Sequence, residues 1–388
     1  MDEMSLKSDE LNQLLNRVFQ PSPRDRTLLI LVDLPAGRNQ DHEAWSDRRT
    51  MASDWFKELS SSGTEDWRKV SFCCYQNVGA NNADLPDRAW LMDNLPFPQS
   101  LGELDPGDSR PFVEILSDHA LILAPTEFSA TAPLKILSKK HRFRAATMGG
   151  FSPAMIPALR LDYEEVNRRV HLLKKLLDEA DSARVVFRVD GDRQFELTLD
   201  LRERLAHASG GLLPEPGMAG NLPSGEAYIV PYEGEINGNP SGSHGKIPVQ
   251  FGPDLVVYEI LENRAVSVDG EGKALISEAR RLELEPAYGN LAELGLGVLD
   301  DFGIKPCGSI LLDEKLGLHI AFGRSDHFGG FVGPGEFSSP QNVVHIDRVY
   351  IPSIQPRVEL ASVDLMVSSS PFPLMEKGKY VINFDPNL

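Results

Sequence analysis

The side chains best suited to chemistry are histidines and acids gathered in the C-terminal half of the chain. His345-Ile-Asp347 lies within 342–351, a run that reads as a strand, and strand residues two apart point to the same face. His345 and Asp347 could therefore reach one metal ion while Val344 and Ile346 fill the core behind. His319 belongs to a second strand-like run, 316–322, which leads into Gly323-Arg-Ser-Asp-His-Phe-Gly-Gly330, where glycine would let backbone approach a ligand closely. Glu293 is the lone acid of 291–297, and Glu226 follows Asn221-Leu-Pro-Ser-Gly225 and precedes the apolar 227–230. Taken singly, each of these residues has an ordinary structural reading, as a histidine at a strand end or a salt-bridged or solvated acid. Asp326 and His327 fit a solvated or mobile loop, with His327 near enough in sequence to stay a site candidate. His244 fits a loop over a cleft or open surface equally well.

Cysteine usage narrows what such a site can be made of. Cys73 and Cys74 are adjacent and Cys307 stands alone, so no CxxC pair can build a local thiolate zinc site. Any metal site has to come from imidazoles and carboxylates. Free, sparse thiols fit a reducing, cytoplasmic setting. The acidic N-terminal stretch lacks the basic start and apolar run of a signal peptide, and no apolar segment approaches the roughly 20 residues a membrane helix needs. The balance of 39 Lys+Arg against 57 Asp+Glu gives a net charge of −18, which argues against nucleic acid or an anionic membrane as partner. Other motifs fail on single residues. Gly295-Leu-Gly297 has Asp300 where a dinucleotide fingerprint needs its third glycine, and no GxxxxGK[ST] loop exists. Gly150-Phe-Ser152-Pro-Ala154 misses the nucleophile elbow by its last residue, and His42-Glu43 lacks the second histidine of a helical zinc site.

The elements that must position these residues divide the chain in two, as 388 residues would suggest. The first half alternates helix and strand: a helix over 6–19, a buried strand over 27–32, a helix over 45–59, a strand over 69–75, a strand over 121–124, a helix near 134–138 and a strand over 144–147. That order predicts an α/β lobe with a mostly parallel sheet. The spacing of Val166, Val170, Leu173, Leu176 and Leu177 predicts a helix over 162–180 at the boundary. Beyond it Asp190-Gly-Asp-Arg193 signals a hairpin, glycine and proline thicken through 210–242, and a short strand follows over 255–260. The expectation is an N-terminal α/β domain at 1–181 and a β-rich α+β metal-binding domain at 182–388.

Together, Asn221-Leu-Pro-Ser-Gly-Glu-Ala-Tyr228, Leu291-Ala-Glu-Leu-Gly295, His319-Ile-Ala-Phe-Gly323 and His345-Ile-Asp347 resemble, in order and separation, the leucyl aminopeptidase T-like family of metallopeptidases. The resemblance covers roughly 215–350. It implies that Glu226, Glu293, His319, His345 and Asp347 are metal ligands, holding two zinc, cobalt or manganese ions with one carboxylate between them. A two-metal site of this kind polarises a carbonyl and activates water. It also implies a homodimer that removes N-terminal residues from peptides, with Glu226 and Glu293 in the catalytic centre. Arg324 or His327 is placed by proximity in sequence to polarise the substrate.

This chain departs from the family at two positions. Asp326 stands where the family has a tyrosine that stabilises the transition state, and Gly225 stands where peptide-cleaving members carry an acid. The sequence is also similar to the ring-cleaving dihydroxypyridine dioxygenases, which share the scaffold. By that resemblance His319, His345 and Asp347 would hold one iron(II) in a two-His-one-carboxylate set acting on a small aromatic molecule, with Glu226 and Glu293 supporting it. A third reading is a non-catalytic metal-binding homologue.

Overall fold

A computed structural model describes residues 4–61, 67–92 and 95–384. The first three residues of the acidic N-terminal stretch lie outside the described residues. The chain forms two compact units, one comprising Met1–Asn167, Ser209–Ser224 and Cys307–Leu312, the other Arg168–Ala208, Gly225–Pro306 and Asp313–Leu388. A division at 181/182 differs from this. The boundary helix, Tyr163–Asp178, begins in the first unit, and two later segments return to it.

In the first unit the apolar run around Leu29 and Ile30 becomes the strand Thr27–Leu34, with every residue after Thr27 buried. A strand buried on both faces reads as a continuous apolar run and belongs in a parallel sheet. It pairs in parallel with Lys69–Gln76 on one side and Leu121–Ala124 on the other, and Arg144–Thr147 and Ala219–Asn221 continue the parallel order. Arg88–Met92 and Arg110–Pro111 extend the opposite edge antiparallel, making seven strands. Helices Ser8–Phe19, Glu43–Ser61 and Thr131–His141 supply apolar stripes; Leu11, Leu14, Leu15 and Val18 of the first are all buried.

The second unit contains two further sheets. Eight antiparallel strands, from Arg264–Gly270 at one edge to Lys379–Tyr380 at the other, include the hairpin Ser182–Val189/Arg193–Asp200. Asp190 and Gly191 take φ of 51° and 85° in its three-residue turn, 190–192, both in the left-handed region. The remaining sheet carries the candidate site. Its order is His345–Val349, Leu318–Gly323, Leu291–Gly297, Glu226–Ile229, His207–Ser209, and the first four strands run antiparallel to one another. The architecture is a two-lobe α/β fold, with a parallel-containing sheet in one unit and antiparallel sheets in the other. Among the described residues no helix is long and apolar enough to cross a membrane.

Candidate metal centre

Strand register brings together residues that lie up to 121 positions apart in the sequence, from Glu226 to Asp347. Asp347 pairs with Ala321 and Ala321 with Glu293; Val349 pairs with His319, His319 with Gly295 and Gly295 with Tyr228; Glu226 pairs with Gly297. Cross-strand partners share a face, so Glu226, Glu293, His319, His345 and Asp347 all project to the same side of the sheet. All five come together. The positions between them on that face are small, and they have to be. A Cβ on Gly295 would stand 1.9 Å from His319 Nε2, and one on Gly297 would stand 2.2 Å from the Lys315 carbonyl carbon. Gly323 has φ of +107° and would place a Cβ 2.2 Å from the Val344 carbonyl oxygen. Gly323 therefore serves a close crossing of the chain at Val344.

Two clusters share one carboxylate. Glu226, Glu293 and His319 form the first and Glu293, His345 and Asp347 the second, with ligand atoms within 4.8 Å of one another in each. His319 Nε2 donates to Glu293 Oε1 at 3.1 Å and lies 3.5 Å from Glu226 Oε2. His345 Nε2 lies 3.4 Å from Glu293 Oε2 and 3.5 Å from Asp347 Oδ1. Glu293 thus turns one oxygen to each imidazole. His345 Nδ1 donates to the Arg324 carbonyl at 2.8 Å, which orients the ring and aims Nε2 at the carboxylates.

The donor set fits divalent cations. Glu226 Oε2 and His319 Nδ1 are buried with no hydrogen-bond partner, an expensive condition for polar atoms in a sheet interior. In the absence of a cation, the surrounding carboxylates favour protonated imidazoles. Burial opposes ionisation of His319, but hydrogen bonding to Glu293 and the charges of Glu226, Glu293 and Asp347 outweigh it and lift its pKa to about 9. His345 is raised well above the usual imidazole value for the same reasons, burial being outweighed by Asp347 and Glu293. Burial pushes against ionisation of Glu293 and Asp347 too, yet these imidazoles hold both carboxyls below their ordinary range. A bound cation would take over the role of those protons.

Lys315 and Glu314 belong to the same environment and were not singled out in the sequence. Lys315 is fully buried, donates to Glu226 Oε1 at 2.6 Å and pairs closely with Glu314. Burial, only partly relieved by Lys315 and reinforced by Glu226 and Asp347, raises Glu314 to about 8. In the sequence the pair reads as a polar turn before a strand, with nothing local to indicate burial.

Arg324 and His327 border the cluster. The Arg324 side chain is engaged by Asp326, Nε donating to Oδ1 at 2.5 Å, while its carbonyl orients His345. The His327 ring lies 5.3 Å from the His345 ring and 3.9 Å from that of Phe328. The segment bearing them is tied down: Glu233 accepts hydrogen bonds from Asn290, Ser325 and the Phe331 backbone, and His207 Nε2 donates to the Phe328 carbonyl at 2.9 Å. His244 is apart from this group, exposed at the start of His244–Phe251 and bonded to the Gly242 carbonyl. Tyr228 closes the motif that contains Glu226, and its place two residues later puts it on the site face by the rule that pairs His345 with Asp347.

No family model matches the sequence, and no curated protein matches it. Among solved structures, the chain is similar to 2,5-dihydroxypyridine dioxygenase from Pseudomonas putida KT2440, with 15% identity, a TM-score of 0.61 and coverage of 97% of this chain and 99% of that one. It is similar also to AmpT from Thermus thermophilus, with 16% identity, a TM-score of 0.55 and coverage of 96% and 99%. Both likenesses are of fold.

Two outcomes test the site. Gly295→Ala should displace His319, cost about 1–3 kcal/mol of stability and weaken metal binding at least about tenfold, read by denaturant titration and metal-competition assay. Divalent metal added to metal-free protein at pH 7 should release about two protons per chain as the imidazoles are deprotonated, measured from the buffer dependence of the binding enthalpy, and apparent affinity should rise toward pH 9. Buffer-independent enthalpy would contradict this charge assignment.

Proposed function

We propose that the chain is a metal-dependent hydrolase of the aminopeptidase T type, removing N-terminal residues from peptides with two divalent cations in the cluster. The observation that carries this reading is the position of Glu293, which presents Oε1 toward His319 and Oε2 toward His345. A carboxylate shared in this way fits two adjacent cations, each completed by a second carboxylate, Glu226 on one side and Asp347 on the other. Two imidazoles and three carboxylates suit zinc, cobalt or manganese. Such cations, when bound, polarise the scissile carbonyl and lower the pKa of the attacking water.

The chain's own residues prepare the site. Lys315 occupies Glu226 Oε1 and leaves Oε2 for the cation position. The Arg324 carbonyl selects the His345 tautomer with Nε2 available. The surplus of carboxylates favours the ammonium of a peptide N-terminus over neutral or anionic groups. Arg324 and His327 stand at the border where a substrate carbonyl would be received, Arg324 after exchanging Asp326 for substrate.

The dioxygenase reading draws support from Asp326 in place of the family tyrosine and from aromatic side chains beside the cluster, Tyr228 and Phe328, which would suit a planar ring. It requires His319, His345 and Asp347 around one ion. The clusters instead divide the imidazoles, His319 in one and His345 in the other, with only Glu293 in common. This favours the two-cation hydrolase.

Metal-free protein reloaded anaerobically should take up about two zinc or cobalt ions per chain and release amino acids from unblocked but not N-blocked peptides. Glu293→Gln should lower metal content to about one ion or less and reduce hydrolysis at least about a hundredfold. One tightly held iron per chain, with oxygen uptake on an aromatic diol and unchanged metal content in Glu293→Gln, would overturn the hydrolase reading.

A further inference from the structure

The turn after His319 supplies no phenol, because Asp326 occupies the position and its carboxylate is committed to Arg324. A phenol stands on a neighbouring strand instead. Tyr228 lies two residues after Glu226 and is paired with Gly295, which is paired in turn with His319. Gly295 contributes no side chain, so the row on the site face runs from the His319 imidazole to the Tyr228 ring with nothing interposed. The ring is held from two sides. It stacks on His207 with centroids 5.1 Å apart and an interplanar angle of 23°, and meets Phe328 edge-on at 4.9 Å and 64°. The bond from His207 to the Phe328 carbonyl closes that clamp.

Its hydroxyl differs from those of most other tyrosines here. Tyr163, Tyr232, Tyr258, Tyr288, Tyr350 and Tyr380 each donate the phenolic proton to a carbonyl or carboxylate of the protein. Phenols that are largely buried normally find such a partner. Tyr228 is partly exposed on the site face, and its hydroxyl makes no hydrogen bond with any described residue.

We propose that Tyr228 is a catalytic residue whose hydroxyl donates a hydrogen bond to the substrate oxygen that gains negative charge, filling the role vacated at Asp326. The proposal rests on the hydrolase reading for the identity of that oxygen, the carbonyl oxygen of the scissile bond. No proton need leave the phenol. A donor aimed at developing charge within a water-poor site acts through preorganisation, and removing one such donor typically costs about 10²–10³ in kcat. The His207 and Phe328 contacts fix the ring, so reaching the substrate requires no ordering at the moment of reaction.

The test uses Tyr228→Phe in the cobalt-loaded full chain, with inorganic phosphate as an oxyanion probe followed by the visible cobalt spectrum, and peptide release measured separately. Cobalt stoichiometry should be unchanged, phosphate affinity should fall at least about tenfold, and kcat should fall about 10²–10³ with KM within about threefold. Equal phosphate affinity in the two proteins, or no phosphate binding to either, would overturn the assignment. Active wild type with kcat of the variant within about threefold would overturn it too while leaving the hydrolase reading intact. Phosphate binding that depends on Tyr228 in a protein releasing no amino acids would retain the donor and remove the hydrolase reading.

Discussion

Like charges crowded into one face of a buried sheet are the constraint around which the C-terminal unit is built. Glu226 and Glu293 are almost wholly buried, Asp347 is close beside them, and Glu314 adds a fourth carboxyl. Isolated burial of such groups would cost several kcal/mol each, so the surroundings must return positive charge or neutralise them. Lys315 provides one fixed cation, His319 and His345 provide two that protons or metals can exchange, and Glu314 is driven toward the neutral acid. The small residues follow from the same requirement. Gly295 and Gly297 leave space for a ring and a main chain that must stand next to the carboxylates.

Support for the cluster comes from both faces. Behind the edge strand Arg348 donates to the Tyr288 hydroxyl at 2.9 Å, and Tyr258 and Tyr288 both donate to Glu278, a buried network that anchors the strand presenting His345 and Asp347. At the rim Glu233 draws Asn290, Ser325 and Phe331 into a single knot, which places the Arg324 carbonyl where it can orient His345. Arg204, itself almost fully buried, lies 3.6 Å from Glu233 and pairs with that carboxylate. Preorganised ligands depend on such outer contacts as much as on their own identity.

The likenesses of fold connect this chain to a dioxygenase and to AmpT with similar coverage, and a shared scaffold does not choose between chemistries. Local detail has to. Here that detail is the sharing of Glu293 between His319 and His345.

Much of the skeleton was legible from local pattern. The apolar run at 27–32, the helical stripe at 6–19 and the Asp190-Gly191 turn each follow from rules acting over a few residues, and each matches an observed element. The five candidate ligands follow from the family resemblance that four short motifs carry in order, and the common face of His345 and Asp347 from the period of a strand. The tertiary structure decided which acids would be buried, that Lys315 would lie among them and that Glu293 would serve two clusters. These depend on register between strands distant in sequence and on the close approach that Gly295 permits. Local propensity reports the period within a strand, whereas packing of the whole sheet sets which residue stands opposite which.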